Sequence, residues 1–181
     1  MKIAITGHSK GLGAEFKKYY ESRQHTVLGF SRSNGYDLRN WSRMQSMLGQ
    51  IKDVDVFINC AKPDFVQTII LYELWKLWKG QDRTIINISS ALSYLPTCTP
   101  DLFDDPHMDL YRTAKASLNE ASAQLTMKSR LPRIILVKPV HLYSNPITDN
   151  QQKALTAWVE IFDSTLQNTN QAGLKLLEIT F

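Results

Sequence analysis

The chain is predicted to form a three-layer α/β sandwich, with helices packed on both faces of a six- or seven-stranded, mostly parallel sheet. Short β-branched runs alternate with longer stretches of helical period, and a glycine-rich turn stands directly between the first strand and the first helix. The length of 181 residues suits one domain, residues 1–181, which can bury roughly two thirds of its extended surface around a single core.

The first strand is expected at Lys2 to Thr6, with a helix from Leu12 to Ser22 after the turn and a second strand over His25 to Phe30. A very short extended piece at Tyr36 to Leu38 would add a marginal strand, and a helix follows from Trp41 to Gln50. Asp53 to Cys60 reads as a strand, Phe65 to Lys79 as a helix and Arg83 to Ser89 as the next strand. Tyr94 to Asp109 reads as irregular because Pro96, Pro100 and Pro106 interrupt it, and Leu110 to Met127 as a long helix. Arg133 to Lys138 is a strand, Asp149 to Leu166 a helix, and Leu174 to Thr180 a last strand. The helix carrying Trp75 and Trp78 has more apolar surface than one buried stripe needs, so it is either deeply buried or part of a contact between subunits.

Composition narrows the function classes. Twenty-one Lys and Arg against 17 Asp and Glu give a formal charge of +4, which mildly favours an anionic ligand. The positive residues are scattered without interleaved aromatics, so nucleic acid is not an expected partner. Cys60 and Cys98 make neither a disulfide framework nor a metal motif. The four histidines, His8, His25, His107 and His141, do not form a metal site, and Asp104, Asp105 and Asp109 read as solvated carboxylates. No stretch approaches the roughly 18 apolar residues of a membrane helix, and MKIAITG enters a strand at once, so the expectation is a soluble, cytoplasmic protein.

The turn reads Thr6-Gly7-His8-Ser9-Lys10-Gly11-Leu12-Gly13. Glycines here allow a tight turn, close approach of a pyrophosphate to the backbone, and close packing of helix on strand, while the helix start offers unpaired N–H groups to phosphate. The spacing Gly7-x3-Gly11-x-Gly13 resembles the TGxxxGxG motif of the short-chain dehydrogenase/reductase superfamily. That resemblance implies a Rossmann-type fold, a nicotinamide cofactor, and a homodimer or homotetramer.

An NAD-binding fold ordinarily ends its second strand with a carboxylate for the ribose hydroxyls, whereas a basic group there suits the 2′-phosphate of NADP. This chain has Phe30-Ser31-Arg32-Ser33, and Arg32 offers a forked set of donors. Lys10 in the turn and the hydroxyls of Ser9, Ser31 and Ser33 add to it, so NADP(H) is expected over NAD(H). Asp37-Leu38 resembles the family's motif lining the adenine pocket, and Asn59-Cys60-Ala61 loosely resembles its Asn-Ala-Gly motif, with Lys62 in place of the glycine.

Ser90 ends the strand IINIS with Ser89 beside it, and Tyr111-Arg112-Thr113-Ala114-Lys115 follows. Tyrosine and lysine at i and i+4 lie one above the other on a helix, where an ammonium favours the phenolate over an ordinary pKa of about 10. The set resembles the family's YxxxK signature, which implies Tyr111 as acid/base, Lys115 as the group that tunes it and holds the nicotinamide ribose, and Ser90 as the catalytic serine. Ser89 is expected to face the packing side. Pro139 and Val140 would lie beside the nicotinamide. The substrate implied is a small carbonyl compound or alcohol.

The chain also departs from the family. It is shorter than most members, and no asparagine stands between Ala61 and Asn87 to complete the usual catalytic tetrad. Tyr94, Pro96, Cys98 and His107 are expected to wall the site, and His141, Tyr143, Asn145 and Pro146 to form a short substrate cover. These departures leave a second reading: an NADP-binding redox sensor or regulatory protein with little or no catalysis.

Overall fold

The structure, a computed structural model, describes residues 1–61, 64–94, 106–139, 148–170 and 176–180. Val140, Lys62, Pro96, Cys98, Pro100, Asp104, Asp105, His141, Tyr143, Asn145 and Pro146 lie outside the described residues. Among the described residues the elements run β1 (Lys2–Thr6), α1 (Gly11–Ser22), β2 (Thr26–Phe30), α2 (Trp41–Gln50), β3 (Val56–Asn59), α3 (Val66–Trp78), β4 (Thr84–Ile88), α4 (Pro106–Lys128), β5 (Arg133–Lys138), α5 (Asp149–Asn170) and β6 (Leu176–Thr180).

Every strand pairing is parallel, in the order β2-β1-β3-β4-β5-β6. This corrects the expected six- or seven-stranded, mostly parallel sheet. The Rossmann-type body is the five-stranded parallel set β2-β1-β3-β4-β5, whose side chains make the two apolar layers. Strand β6 is an outer addition on β5 alone, in register Ile134 with Leu176.

The extended piece expected at Tyr36 to Leu38 is not a strand. Polar side chains there bond their own backbone instead, which competes with strand pairing. Asn34 Oδ1 accepts from Ser31 N at 2.9 Å and its Nδ2 donates to Gly29 O at 2.7 Å, closing a single 3₁₀ turn over Arg32–Asn34. Asp37 Oδ1 accepts from Arg39 N at 3.1 Å, and Asn40 Oδ1 caps α2 by accepting from Arg43 N at 3.2 Å. Strand β2 is therefore the outer strand on this side.

Three boundaries shift by three residues or more. Strand β3 starts at Val56 rather than Asp53 because Ile51 to Asp53 form a turn, after which Asp55 Oδ2 accepts from Lys2 N at 2.7 Å. Helix α4 starts at Pro106, a residue that breaks a helix interior but suits its first turn. Helix α5 continues to Asn170, with Gln167 Nε2 donating to Asp163 Oδ2 at 2.6 Å one turn back.

Alternating strand residues feed two apolar layers. Ala4, Phe57, Ile85 and Ile134 face α2, α3 and α4, where Met47, Ile70, Leu74 and Leu118 are fully buried. Ile3, Ile5, Ile58 and Val137 face α1 and α5, meeting Phe16, Val159 and Phe162. Trp78 is wholly buried and Trp75 partly so, while Ile69 on the same helix is 43% exposed, so α3 buries one side and leaves apolar surface on the other. Across α1 and α5, the buried carboxylate of Asp163 accepts from the Tyr19 and Tyr20 hydroxyls at 3.1 and 2.9 Å.

The order in which strands are added reverses between β1 and β3: β2 lies on one side of β1, and the remaining strands build outward on the other. In open parallel sheets the crevice at the carboxyl ends of such a pair is the ligand site. Thr6, fully buried, ties the two ends together, its Oγ1 accepting from Cys60 N at 2.9 Å and Ala61 N at 3.1 Å.

Candidate functional site

A cavity of about 970 Å³ opens at that switch point. One end is walled by Ser9, Lys10, Ser31, Arg32, Ser33 and Asp37, the other by Ser90, Leu92, Tyr111 and Pro139, with Leu12, Gly13, Leu38, Cys60 and Ala61 between. The sequence-predicted residues thus converge on one space, with a few exceptions described below.

The glycine turn is shaped by close approaches. Gly7 has φ +74°, a left-handed backbone that disfavours any side chain, and its N–H donates to Phe30 O at 2.7 Å. A Cβ on Gly13 would collide with the Gly7 carbonyl, so only glycine lets α1 start this close to the end of β1. Lys10 is the residue before α1, and its side chain makes no capping bond to the helix start. Its first N–H groups have no intrahelical acceptor and face the cavity end bearing Ser9 and Lys10.

His8 does not join them on the cavity wall. Its imidazole packs on Gly29, where any Cβ would strike the ring, and burial pushes its pKa below the ordinary histidine value. Gly11, with φ +55°, shapes the backbone at the first residue of α1.

The far side of this end is the Arg32–Asn34 turn, with the Ser31 and Ser33 hydroxyls 2.8 Å apart. Tyr36 and Arg39 also line the cavity, and the sequence analysis missed both. Arg39 Nε lies 3.5 Å from Asp64 Oδ2. Among the described residues neither Lys10 nor Arg32 has a carboxylate within ion-pair distance. Two uncompensated cations therefore share this end with hydroxyl donors, an arrangement suited to an anion.

At the other end, Ser90 and Tyr111 sit together on the wall, and Lys115 lies behind Tyr111, only 4% exposed. The Lys115 ammonium is 5.5 Å from the Tyr111 ring centroid. Its nitrogen donates to Gln67 Oε1 at 2.6 Å and to Ile88 O at 2.7 Å. Burial raises the Tyr111 pKa above the ordinary tyrosine value, and a hydrogen bond with Ser90 opposes that shift. The phenol is therefore harder to ionise here than the simple Tyr-x3-Lys pairing predicts, because desolvation is the larger effect.

Ser90 Oγ also accepts from Leu92 N at 3.2 Å, starting a short 3₁₀ turn over Ala91–Ser93 that forms part of the wall. Ser89, expected to face the packing side, lines the cavity as well as bonding to α4, where its Oγ donates to Asn119 Oδ1 at 2.6 Å. Asn119 Nδ2 in turn donates to Ser93 Oγ at 2.7 Å, pinning that turn to the helix. Asn119 follows Lys115 by one helical turn, so helical spacing from Tyr111 and Lys115 was the signal that could have found it.

Asn59 takes no place on the wall. Fully buried, its Nδ2 donates to Gln67 O at 2.9 Å and to Asn87 Oδ1 at 3.0 Å. Cys60 does line the cavity, and burial pushes its thiol up to about 11.

No family model and no curated protein matches the sequence. Solved structures match its fold. A short-chain dehydrogenase/reductase from Vibrio parahaemolyticus superposes with a TM-score of 0.76 at 16% identity, over 98% of this chain and 98% of that one. The 3-alpha-hydroxysteroid dehydrogenase of Pseudomonas sp. B-0831, complexed with NADH, gives 0.72 at 15% identity over 99% and 95%. A small-chain dehydrogenase in complex with NADPH gives 0.69 at 15% over 99% and 96%. The chain has the short-chain dehydrogenase/reductase fold. Among its described residues, no helix is long and apolar enough to cross a membrane.

Proposed function

We propose that the chain is an NADP(H)-dependent oxidoreductase acting on a small carbonyl or alcohol substrate, with Tyr111 as its acid/base. The observation that carries this reading is the single cavity joining the Lys10 and Arg32 end to the Ser90 and Tyr111 end. The fit to a dinucleotide rests on the start of α1 that the Lys10 side chain leaves uncapped, the closeness that Gly13 permits, and two cations without carboxylate partners among the described residues. NADH and NADPH in structures of the same fold are consistent with it.

In this reading the glycine turn and α1 hold the pyrophosphate, while Arg32, Lys10 and the Ser31 and Ser33 hydroxyls hold the 2′-phosphate. Asp37 and Leu38 border the adenosine, and Cys60, Ala61 and Pro139 border the nicotinamide end. The nicotinamide, when bound, supplies or accepts the hydride. Tyr111 Oη donates a proton to the substrate oxygen on reduction or takes it on oxidation, and Ser90 Oγ hydrogen-bonds that oxygen. Lys115 keeps a positive charge beside the phenol. Leu92, Ile88 and Pro139 help exclude water. Proteins of this kind work as homodimers or homotetramers, and we extend that to this chain.

The test is NADPH oxidation with a panel of aldehydes, ketones and quinones, comparing the parent with Tyr111→Phe. Turnover lost in the variant with NADPH binding retained supports the oxidoreductase. Tight binding with equal inactivity in both proteins favours the redox-sensor reading.

A further inference from the structure

Helix α3 is apolar along most of its length, yet its second residue is a glutamine only 3% exposed. A buried amide has to satisfy both a donor and an acceptor end. Gln67 Nε2 donates to Asn59 O at 2.6 Å and to Ile88 O at 3.1 Å. The amide cannot be turned over, since its oxygen would then face two carbonyl acceptors. Oε1 is thereby aimed at Lys115 Nζ, 2.6 Å away.

The fixture extends through the core. Asn59 Nδ2 bonds Gln67 O and Asn87 Oδ1, and Asn87 Nδ2 donates to Ser122 Oγ at 3.2 Å, so β3, β4, α3 and α4 meet around one amide. Tyr111 on α4 and Cys60 after β3 are titratable groups of the described residues that face the ammonium, and burial raises the pKa of each. Both are uncharged at neutral pH, so oriented dipoles, those of Gln67 and Ile88, do much of the work of holding the charge.

We propose that Gln67 is a positioning residue for the proton-transfer group, its side-chain oxygen holding the Lys115 ammonium beside Tyr111. The inference deepens the function proposed above and rests on it for its purpose, but its test needs neither substrate nor cofactor. It also identifies a residue of the segment between Ala61 and Asn87, where no asparagine is available, as the one that engages the lysine.

The test is an NMR titration of protein labelled with ¹³C at the lysine Cε, with the Lys115 signal assigned by Lys115→Met. Gln67→Leu should lower the Lys115 midpoint by about one pH unit or more, because the ammonium stays buried and loses an acceptor. The other lysine signals should not move. An unchanged Lys115 midpoint in folded Gln67→Leu overturns the proposal. Should Gln67→Leu fail to fold, the double variant Gln67→Leu/Lys115→Met decides. Recovery of the fold once the ammonium is gone shows that the damage ran through Lys115. A double variant as unfolded as the single one shows that the amide serves only Asn59 and Ile88, and the proposal fails.

Discussion

The Lys10 and Arg32 end of the cavity and its Tyr111 end are built in opposite ways. At the first, the charged side chains are exposed and the shape comes from backbone: a left-handed Gly7, a Gly13 against the Gly7 carbonyl, and a helix start that the Lys10 side chain leaves uncapped. At the second, the shape comes from buried side chains holding one another, with Lys115 bonded to Gln67 and Ser89 to Asn119. A backbone-shaped end tolerates exchange of its exposed side chains at the cost of ligand preference. A network-shaped end does not, since each lost partner leaves a buried polar group unpaired.

Substitutions can break this contrast. The largest effect is expected at the Tyr111 end, where Tyr111→Phe should lower turnover by about 10²- to 10⁴-fold, the usual worth of a positioned acid/base, with NADPH affinity little changed. The same pair of proteins should place the Tyr111 ionisation above the ordinary value of 10.0, seen as the tyrosinate absorbance present in the parent and missing from the variant. The folded state holds this proton more tightly than the unfolded chain. Its stabilising contribution is therefore complete below the ordinary tyrosine value and is lost as pH rises through the raised one. A midpoint below 10.0 would mean that Lys115 outweighs burial.

Next in size, Gly13→Val should destabilise the fold by about 3 kcal/mol or more, through steric conflict with the Gly7 carbonyl. Chemical denaturation measures it. Arg32→Ala is expected to leave folding intact and to weaken NADPH binding about 10- to 100-fold, as a lost hydrogen bond to a charged group does. NADH binding should hardly change. Equal loss for both cofactors would place Arg32 away from the 2′-phosphate.

How far each end was legible in the sequence follows from the same contrast. The Lys10 and Arg32 end is written in local signals: glycines at set spacing and a basic residue at a strand end, each interpretable within a few neighbours. The Tyr111 end was legible in Ser90, Tyr111, Lys115 and Pro139, but not in the side chains that hold them. Gln67 lies 48 residues from Lys115, and only the parallel crossover of α3 and α4 over the sheet brings them together. Asn59 matched a motif yet turned out to be a core residue, because a buried polar side chain and a ligand-facing one look alike in sequence. The strand count failed at Tyr36 to Leu38, where Asn34, Asp37 and Asn40 divert the backbone into turns.

Smaller effects sharpen the picture. In a Cys98→Ser background, Cys60 should alkylate ~100-fold more slowly than an ordinary thiol, since burial pushes its pKa up to about 11, well above the ordinary thiol value. NADPH should slow it further by covering the cavity wall. At the foot of the scale, Gly49→Ala on α2, where a Cβ meets nothing within 4 Å, should stabilise the fold by about 0.5–1 kcal/mol. A gain at Gly49 beside a loss at Gly13 would show that close approach, rather than glycine as such, matters in the turn.

The most direct test of the central claim is calorimetric titration of the intact chain with NADPH and, separately, with NADH. Binding of NADPH at least about tenfold tighter than NADH is the expected result, equivalent to about 1.4 kcal/mol from the contacts of Lys10 and Arg32 with one phosphate. Binding of neither cofactor, or of NADH as tightly as NADPH, would contradict the account.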